Sequence, residues 1–248
     1  MHRSLSDGWH AAAAAICGAA ILAGTAACGA SSASSSGTSV PATPSASPLA
    51  GLTADQIASK AFADLASVSS VHLADSVVQS GQALVLDLTI GTDCRGTVEM
   101  SGEGTLKLLR IGKNLWIKPD SKFWKSAGVS DSALLSAVSG KYIRPSAKDS
   151  DLRGLQMLCN PSWYASEFGQ KLTGLVKDGT STVSGQRALG IREPGDPGIA
   201  YVTFSARPEP LRLNAGSSGL LNFTGYNAPV LVSPPPSGEV LDGTKYGF

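Results

Sequence analysis

Beyond residue 28 the chain carries one histidine, His72, and two cysteines, Cys94 and Cys159, the side chains with the widest chemical options. A serine–histidine–aspartate relay would need a positioned nucleophile beside that imidazole. No G-x-S-x-G turn is present to supply one, and Ser139, just before Gly140, lies in ordinary turn sequence. His72 sits between Val71 and Leu73, the pattern of a strand-face residue rather than a base. The carboxylates are scattered, with Glu99 and Glu103 flanking a glycine-containing turn and Asp149 and Asp151 in a loop. Glycoside hydrolysis needs two acids across one sugar; a solvated face is the commoner use of isolated ones. Gly102-Glu103-Gly104 lacks the rest of either nucleotide fingerprint. Trp116, Phe123, Trp124, Trp163 and Tyr164 suit a sugar platform or a core, and core packing is the commoner use. Cys94 and Cys159, 65 residues apart with no histidine or acidic cluster beside them, do not make a zinc ligand set. The expectation is a protein that is not an enzyme and needs no cofactor or metal.

More is written at the amino terminus. Residues 1–10 form a polar leader in which Arg3 and the terminal amine outweigh Asp7. Residues 11–24, AAAAAICGAAILAG, are uncharged, too short for a spanning helix of about 20 residues but suited to the apolar region of an export signal. Thr25-Ala26-Ala27-Cys28 then places small residues before a cysteine and resembles a bacterial lipobox, with Thr25 where leucine is usual. Ordinary cleavage after Ala27, leaving a free thiol, and an uncleaved anchor are the alternatives. Residues 29–49, GASSASSSGTSVPATPSASPL, carry no charge and too little apolar surface to fold. As a tether they span roughly 25 Å. A tether after a lipidated Cys28 holds whatever follows off the membrane, and two acyl chains give stable anchorage where one gives marginal binding.

An exported chain lives where disulfides persist. With Cys17 in the signal and Cys28 the lipid site, Cys94 and Cys159 remain as a pair, and a bridge between them is expected. The 20 basic and 19 acidic side chains leave +1, which argues against a nucleic-acid partner. Charged residues are 16% of the chain, against roughly 25% in an average domain, and 42% hydrophobic content supports a folded body.

Leu52–Ser69 has Thr53 and Gln56 in capping-box spacing, with Leu52, Ile57, Ala61, Leu65 and Val68 at helical spacing, and predicts an opening amphipathic helix. VHLADSVVQ and ALVLDLTIG are strands split by Gly81; in the second, Leu84, Leu86, Leu88 and Ile90 share one face. GTVEMSGEG leads to TLKLLRIG and NLWIKPD, joined by a tight turn at Gly112-Lys113, with Leu106 and Leu108, then Leu115 and Ile117, alternating with polar or outward residues. Residues 130–143 and 152–172 predict helices, the second interrupted by Pro161. Strands resume in LVKDGTSTV, QRALGIRE, IAYVTFS, PLRLNAG and GLLNFTGY, and three consecutive prolines exclude the tail from a central strand. The pattern predicts an α+β fold, an antiparallel sheet bent over helices.

Two segments carry a resemblance. GTLKLLRIGKNLWIKPDSKFWK, residues 104–125, and LLNFTGYNAPVLVSPPPSGEV, residues 220–240, together with the lipobox, tether and opening helix, resemble actinobacterial lipoproteins of the mycobacterial lipid-carrier type. The resemblance implies a LolA/LolB-like lipoprotein-carrier fold, a strongly curved antiparallel half-barrel with helices across its concave face, and lipid or acyl-ligand binding in an apolar cavity. In such a fold Leu84, Leu86, Leu88, Ile90, Leu106, Leu108, Val202 and Phe204 would face the ligand. The expected organisation is a signal peptide at 1–27, a lipidated cysteine and tether at 28–49, and a half-barrel domain at 50–248. The expected product is a monomer anchored by lipid to the extracytoplasmic face of the cell membrane. A structural or protein-interaction lipoprotein with a packed interior is the alternative. Fractionation tests the anchor: Cys28→Ala should move the protein from membranes to medium, and continued membrane retention of that variant would show an uncleaved anchor instead.

Overall fold

A computed structural model describes residues 47–79, 81–146, 150–170 and 172–246. The expected signal, Cys28 and nearly all of the tether lie outside the described residues. The first element is helix α1 (Ala54–Ala66). Its capping box forms as the sequence predicts: the Gln56 amide donates to Thr53 Oγ1 at 3.2 Å, and the Thr53 amide donates to Gln56 Oε1 at 2.9 Å. Asp55 in the first turn accepts from the amides of Gly174 and Leu175, fixing the helix to a distant part of the chain.

Five strands follow in a meander: β1 (Ser70–Gln79), β2 (Gln82–Gly91), β3 (Cys94–Met100), β4 (Gly104–Ile111) and β5 (Asn114–Pro119). The chain then leaves the sheet for helices α2 (Ser121–Ser126) and α3 (Ser132–Val138), touches β5 with strand β6 (Tyr142–Arg144), and continues through α4 (Ser150–Met157) and α5 (Pro161–Phe168). A second meander runs β7 (Val176–Val183), β8 (Gln186–Arg192), β9 (Ile199–Thr203), β10 (Pro210–Asn214) and β11 (Leu220–Thr224). Its last strand pairs with the first strand of the first meander, His72 opposite Thr224. The extended tail finally reaches the far edge as β12 (Val240–Asp242). All twelve strands join one open, curved sheet in the order β12-β6-β5-β4-β3-β2-β1-β11-β10-β9-β8-β7, an α+β half-barrel.

The concave face is built by register. Phe223, Leu73, Leu88, Gly96, Leu108, Ile117, Ile143 and Leu241 stand opposite one another in turn across eight strands. Strand alternation turns each of these inward, and a one-residue slip would expose them all. The row has one gap, at Gly96. There the backbone takes φ 147°, and a Cβ would lie 1.9 Å from the Asp87 carbonyl oxygen, so β2 and β3 approach more closely than a side chain allows.

The expected antiparallel sheet is corrected at its edge, where β12 runs parallel to β6. The prolines keep residues 228–236 out of the ladder, and only the three residues of β12 pair. The helix expected over 130–143 stops at Val138; Gly140 takes φ 68° and Tyr142–Arg144 is a strand. The break expected at Pro161 is present: α4 ends at Met157 and Pro161 opens α5 in its first turn, with the Asn160 side chain accepting from the Ser162 amide at 3.1 Å. Helix α2 has no counterpart in the sequence reading; Asp120 caps it by accepting from the Phe123 amide at 2.7 Å.

Two glycine replacements should move stability in opposite directions in urea denaturation. Gly96→Ala should lower it by about 1–3 kcal/mol through backbone strain. Gly154→Ala in α4, where nothing lies within 4 Å of the added carbon, should raise it by about 0.4–1 kcal/mol.

Candidate functional site

The concave face is the surface on which the resemblance would place a ligand, and the helices roof it. Leu86, Leu88, Ile90, Leu106 and Leu108 come together in one buried cluster with Leu73, Val98 and Phe223. Phe62 and Leu65 of α1, Trp124 of α2, Val138 of α3 and Tyr164 of α5 close over it. Leu84 lies on the same strand face but only half-buried, toward the β1–β2 turn. Val202 belongs to a second cluster, with Leu189 and Ile191 beneath Ile57, Ala58 and Ala61 of α1. Phe204 is half-buried at the border of that cluster, its ring 4.7 Å from the Arg187 guanidinium. Helix α1 thus spans both clusters, and seven of the eight residues divide between them, Leu84 belonging to neither.

Sequence reasoning expected helices across this surface and gave Trp124 and Tyr164 to core packing, but named only strand residues as its lining. Trp124 and Tyr164 are among the most buried side chains, yet nothing in their local pattern distinguishes a roof from a packed helix. Tyr164 keeps its phenol neutral: burial pushes its pKa far up, and the hydroxyl donates to the Leu158 carbonyl at 3.1 Å. Leu86, Leu88, Ile90, Leu106, Leu108 and Val202 are at most 3% exposed. A concavity of about 330 Å³ lies between α1 and α5, lined by Ser59, Phe62, Ala63, Ala66, Ser162 and Ala165 among others. A second concavity, of about 580 Å³, lies at the β6–β12 edge. Neither is lined by any of the eight residues.

One rim of the roof is tied down covalently. Cys94, the first residue of β3, is bridged to Cys159, just before α5, with Cα atoms 5.6 Å apart. Arg110 stands directly opposite Cys94 on β4. Its guanidinium donates to the carbonyls of Gly91, Thr92 and Cys159, and to that of Gln156 at 3.4 Å. One side chain therefore joins the β2–β3 turn to the segment entering α5, on either side of the bridge. Burial lowers the Arg110 pKa, and neighbouring Asp93 opposes that shift; a guanidinium stays charged regardless.

The catalytic candidates sit elsewhere. His72 lies on the convex face, its Nε2 2.8 Å from Asp87 Oδ1 and its Nδ1 3.2 Å from Thr224 Oγ1. The three residues link β11, β1 and β2 across an open sheet surface, as a cross-strand polar pair does. Glu99 and Glu103 are exposed, and Ser139 caps the end of α3 in a solvent-facing turn. Asp149 lies outside the described residues.

No protein-family model matches the chain, and no curated protein does. Among solved structures, LprF from Mycobacterium bovis is similar at 11% identity with a TM-score of 0.47, over 73% of this chain and 96% of that one. At that distance no residue role carries over.

Peptide mapping under non-reducing conditions should recover Cys94 and Cys159 in one linked fragment. Replacing both by alanine should cost about 2–5 kcal/mol in urea denaturation, because the bridge closes a 65-residue loop.

Proposed function

We propose that this chain is an exported lipoprotein, anchored to the extracytoplasmic face of the membrane through Cys28 and held off it by the uncharged stretch that follows, whose half-barrel takes up a lipid acyl chain. What supports the reading is the roof. An apolar row eight strands wide is covered by α1 and by helices of six to eight residues rather than by a second sheet. Helices this short hold their shape through packing, not through their own hydrogen bonds. They can lift while every strand ladder stays intact, and lightly held elements are the ones that open first. An acyl chain entering beneath them replaces the lost contacts at about 0.8 kcal/mol per buried methylene, with no polar specificity required.

A second reading rests on a different observation. The strand residues expected to line a cavity are packed, and neither concavity reaches them. On that reading the protein is a structural or protein-binding lipoprotein of the same fold.

Mass spectrometry of lipidated protein purified from its native membrane separates the two. Carriage predicts a non-covalent lipid near one per chain, lost in Leu86→Trp or Leu108→Trp while the fold persists. A packed interior predicts no such lipid in the wild type, and the same substitutions then act only by overpacking, lowering stability by about 1–3 kcal/mol.

A further inference from the structure

Of the five aromatic residues whose types suit a sugar platform, four are occupied by packing. Trp124 and Tyr164 are buried in the core, and Phe123 and Trp163 pack against it. Trp116 differs. Its neighbours Leu115 and Ile117 are buried on the concave side, so alternation along β5 turns Trp116 to the convex face. There, half-buried, it lines the concavity of about 580 Å³ together with Arg144, Pro145, Ser237, Leu241 and Asp242.

The register orders the groups around it. Ile117 stands opposite Ile143 in an antiparallel pair, which sets Trp116 beside Arg144; parallel pairing then sets Arg144 beside Asp242. An indole, a guanidinium and a carboxylate thus form one row across β5, β6 and β12. The two charged members are positioned in advance. Arg144 Nη2 donates to Asn114 Oδ1 at 3.3 Å. Asp242 Oδ1 accepts from the Thr244 amide at 3.1 Å and the Thr244 hydroxyl at 2.8 Å. Those hydrogen bonds from Thr244 keep the Asp242 carboxyl below its ordinary range, with Lys245 and Arg144 adding to the effect, so it stands ionised as an acceptor.

We propose that this row is a binding subsite for a neutral saccharide. The indole offers a flat apolar surface for the C–H face of a pyranose ring. Arg144 donates to, and Asp242 accepts from, hydroxyls on the ring edge, the fork of opposite polarity that vicinal hydroxyls satisfy. An anionic ligand fits less well, because Asp242 stands beside Arg144 and Lys245, and Glu239 lies 3.9 Å from Lys118. A purely apolar ligand would desolvate both charged groups and offer neither a new hydrogen bond. The subsite lies on the face of the sheet opposite the helices and does not depend on acyl-chain binding.

The experiment uses the full lipidated chain in a detergent without a sugar headgroup. Maltohexaose, cellohexaose, chitohexaose and mannohexaose are each added at millimolar concentration, read by saturation-transfer NMR and tryptophan emission. At least one should bind. Trp116→Ala should weaken that binding by tenfold or more and Trp116→Phe by less, while Arg144→Gln and Asp242→Asn should each weaken it about tenfold. Thermal unfolding monitors the fold; if Trp116→Ala does not fold, the two exposed charge variants decide. Saturation transfer from none of the four sugars, or unchanged binding in folded Trp116, Arg144 and Asp242 variants, overturns the proposal.

Discussion

An open sheet that is apolar on one face must be covered, and the rest of this structure follows from how that is done. The inner row from Phe223 to Leu241 offers water a surface eight strands wide. Each leucine or isoleucine left exposed there would forfeit about 1.5–3 kcal/mol. A sandwich would cover it with a second sheet. Here the two meanders meet at β1 and β11 in the middle of a single sheet. The chain between them has to travel from one edge to the other, and that passage, residues 120–172, is where α2 to α5 lie. The covering therefore comes from the connection the topology already requires, with α1 spanning the two apolar clusters.

A covering made of short helices is only as firm as its attachments. One side is fixed by the Cys94–Cys159 bridge and the Arg110 guanidinium, which together join the β2–β3 turn, β4 and the approach to α5. At the other side Asp55 joins α1 to the start of β7 through two amide hydrogen bonds. Between them α1 and α5 rest on each other through Phe62, whose ring lies 6.4 Å from that of Phe168, and along a groove of alanine and serine. Small side chains there let the two helices approach closely, and Ser162 Oγ of α5 donates to the Ala66 carbonyl at the end of α1 at 3.1 Å.

The sheet was legible in the sequence because its code is local. Alternation over Gln82–Gly91 assigns Leu86, Leu88 and Ile90 to one face without knowledge of any partner strand. Thr53 and Gln56 announced α1 by their spacing alone. What failed was short or dependent on distant contacts. Strands β6 and β12 have three residues each, too few for a period to register, and they exist because β6 pairs with β5 and β12 pairs with β6. Helix α2, six residues long, rests on one cap at Asp120 and on burial of Trp124. The division of seven of the eight proposed lining residues between two clusters was likewise unreadable, since α1 spans them from a place in the chain that local pattern does not connect to β9.

Alternation that serves the core also fixes what the opposite face presents. Ile117 and Ile143 are the inward members of β5 and β6, so Trp116, Lys118, Tyr142 and Arg144 are the outward ones. Lys118 lies over the Tyr142 ring, 4.9 Å from its centroid, as that pairing requires. A shift of register that exposed Ile117 would carry Trp116 into the core in the same move. The apolar row thus holds the convex row in place. Chemistry on the convex side can vary freely as long as inward residues keep their parity, which is how one sheet can present an apolar surface to its helices and an aromatic, charged one to solvent.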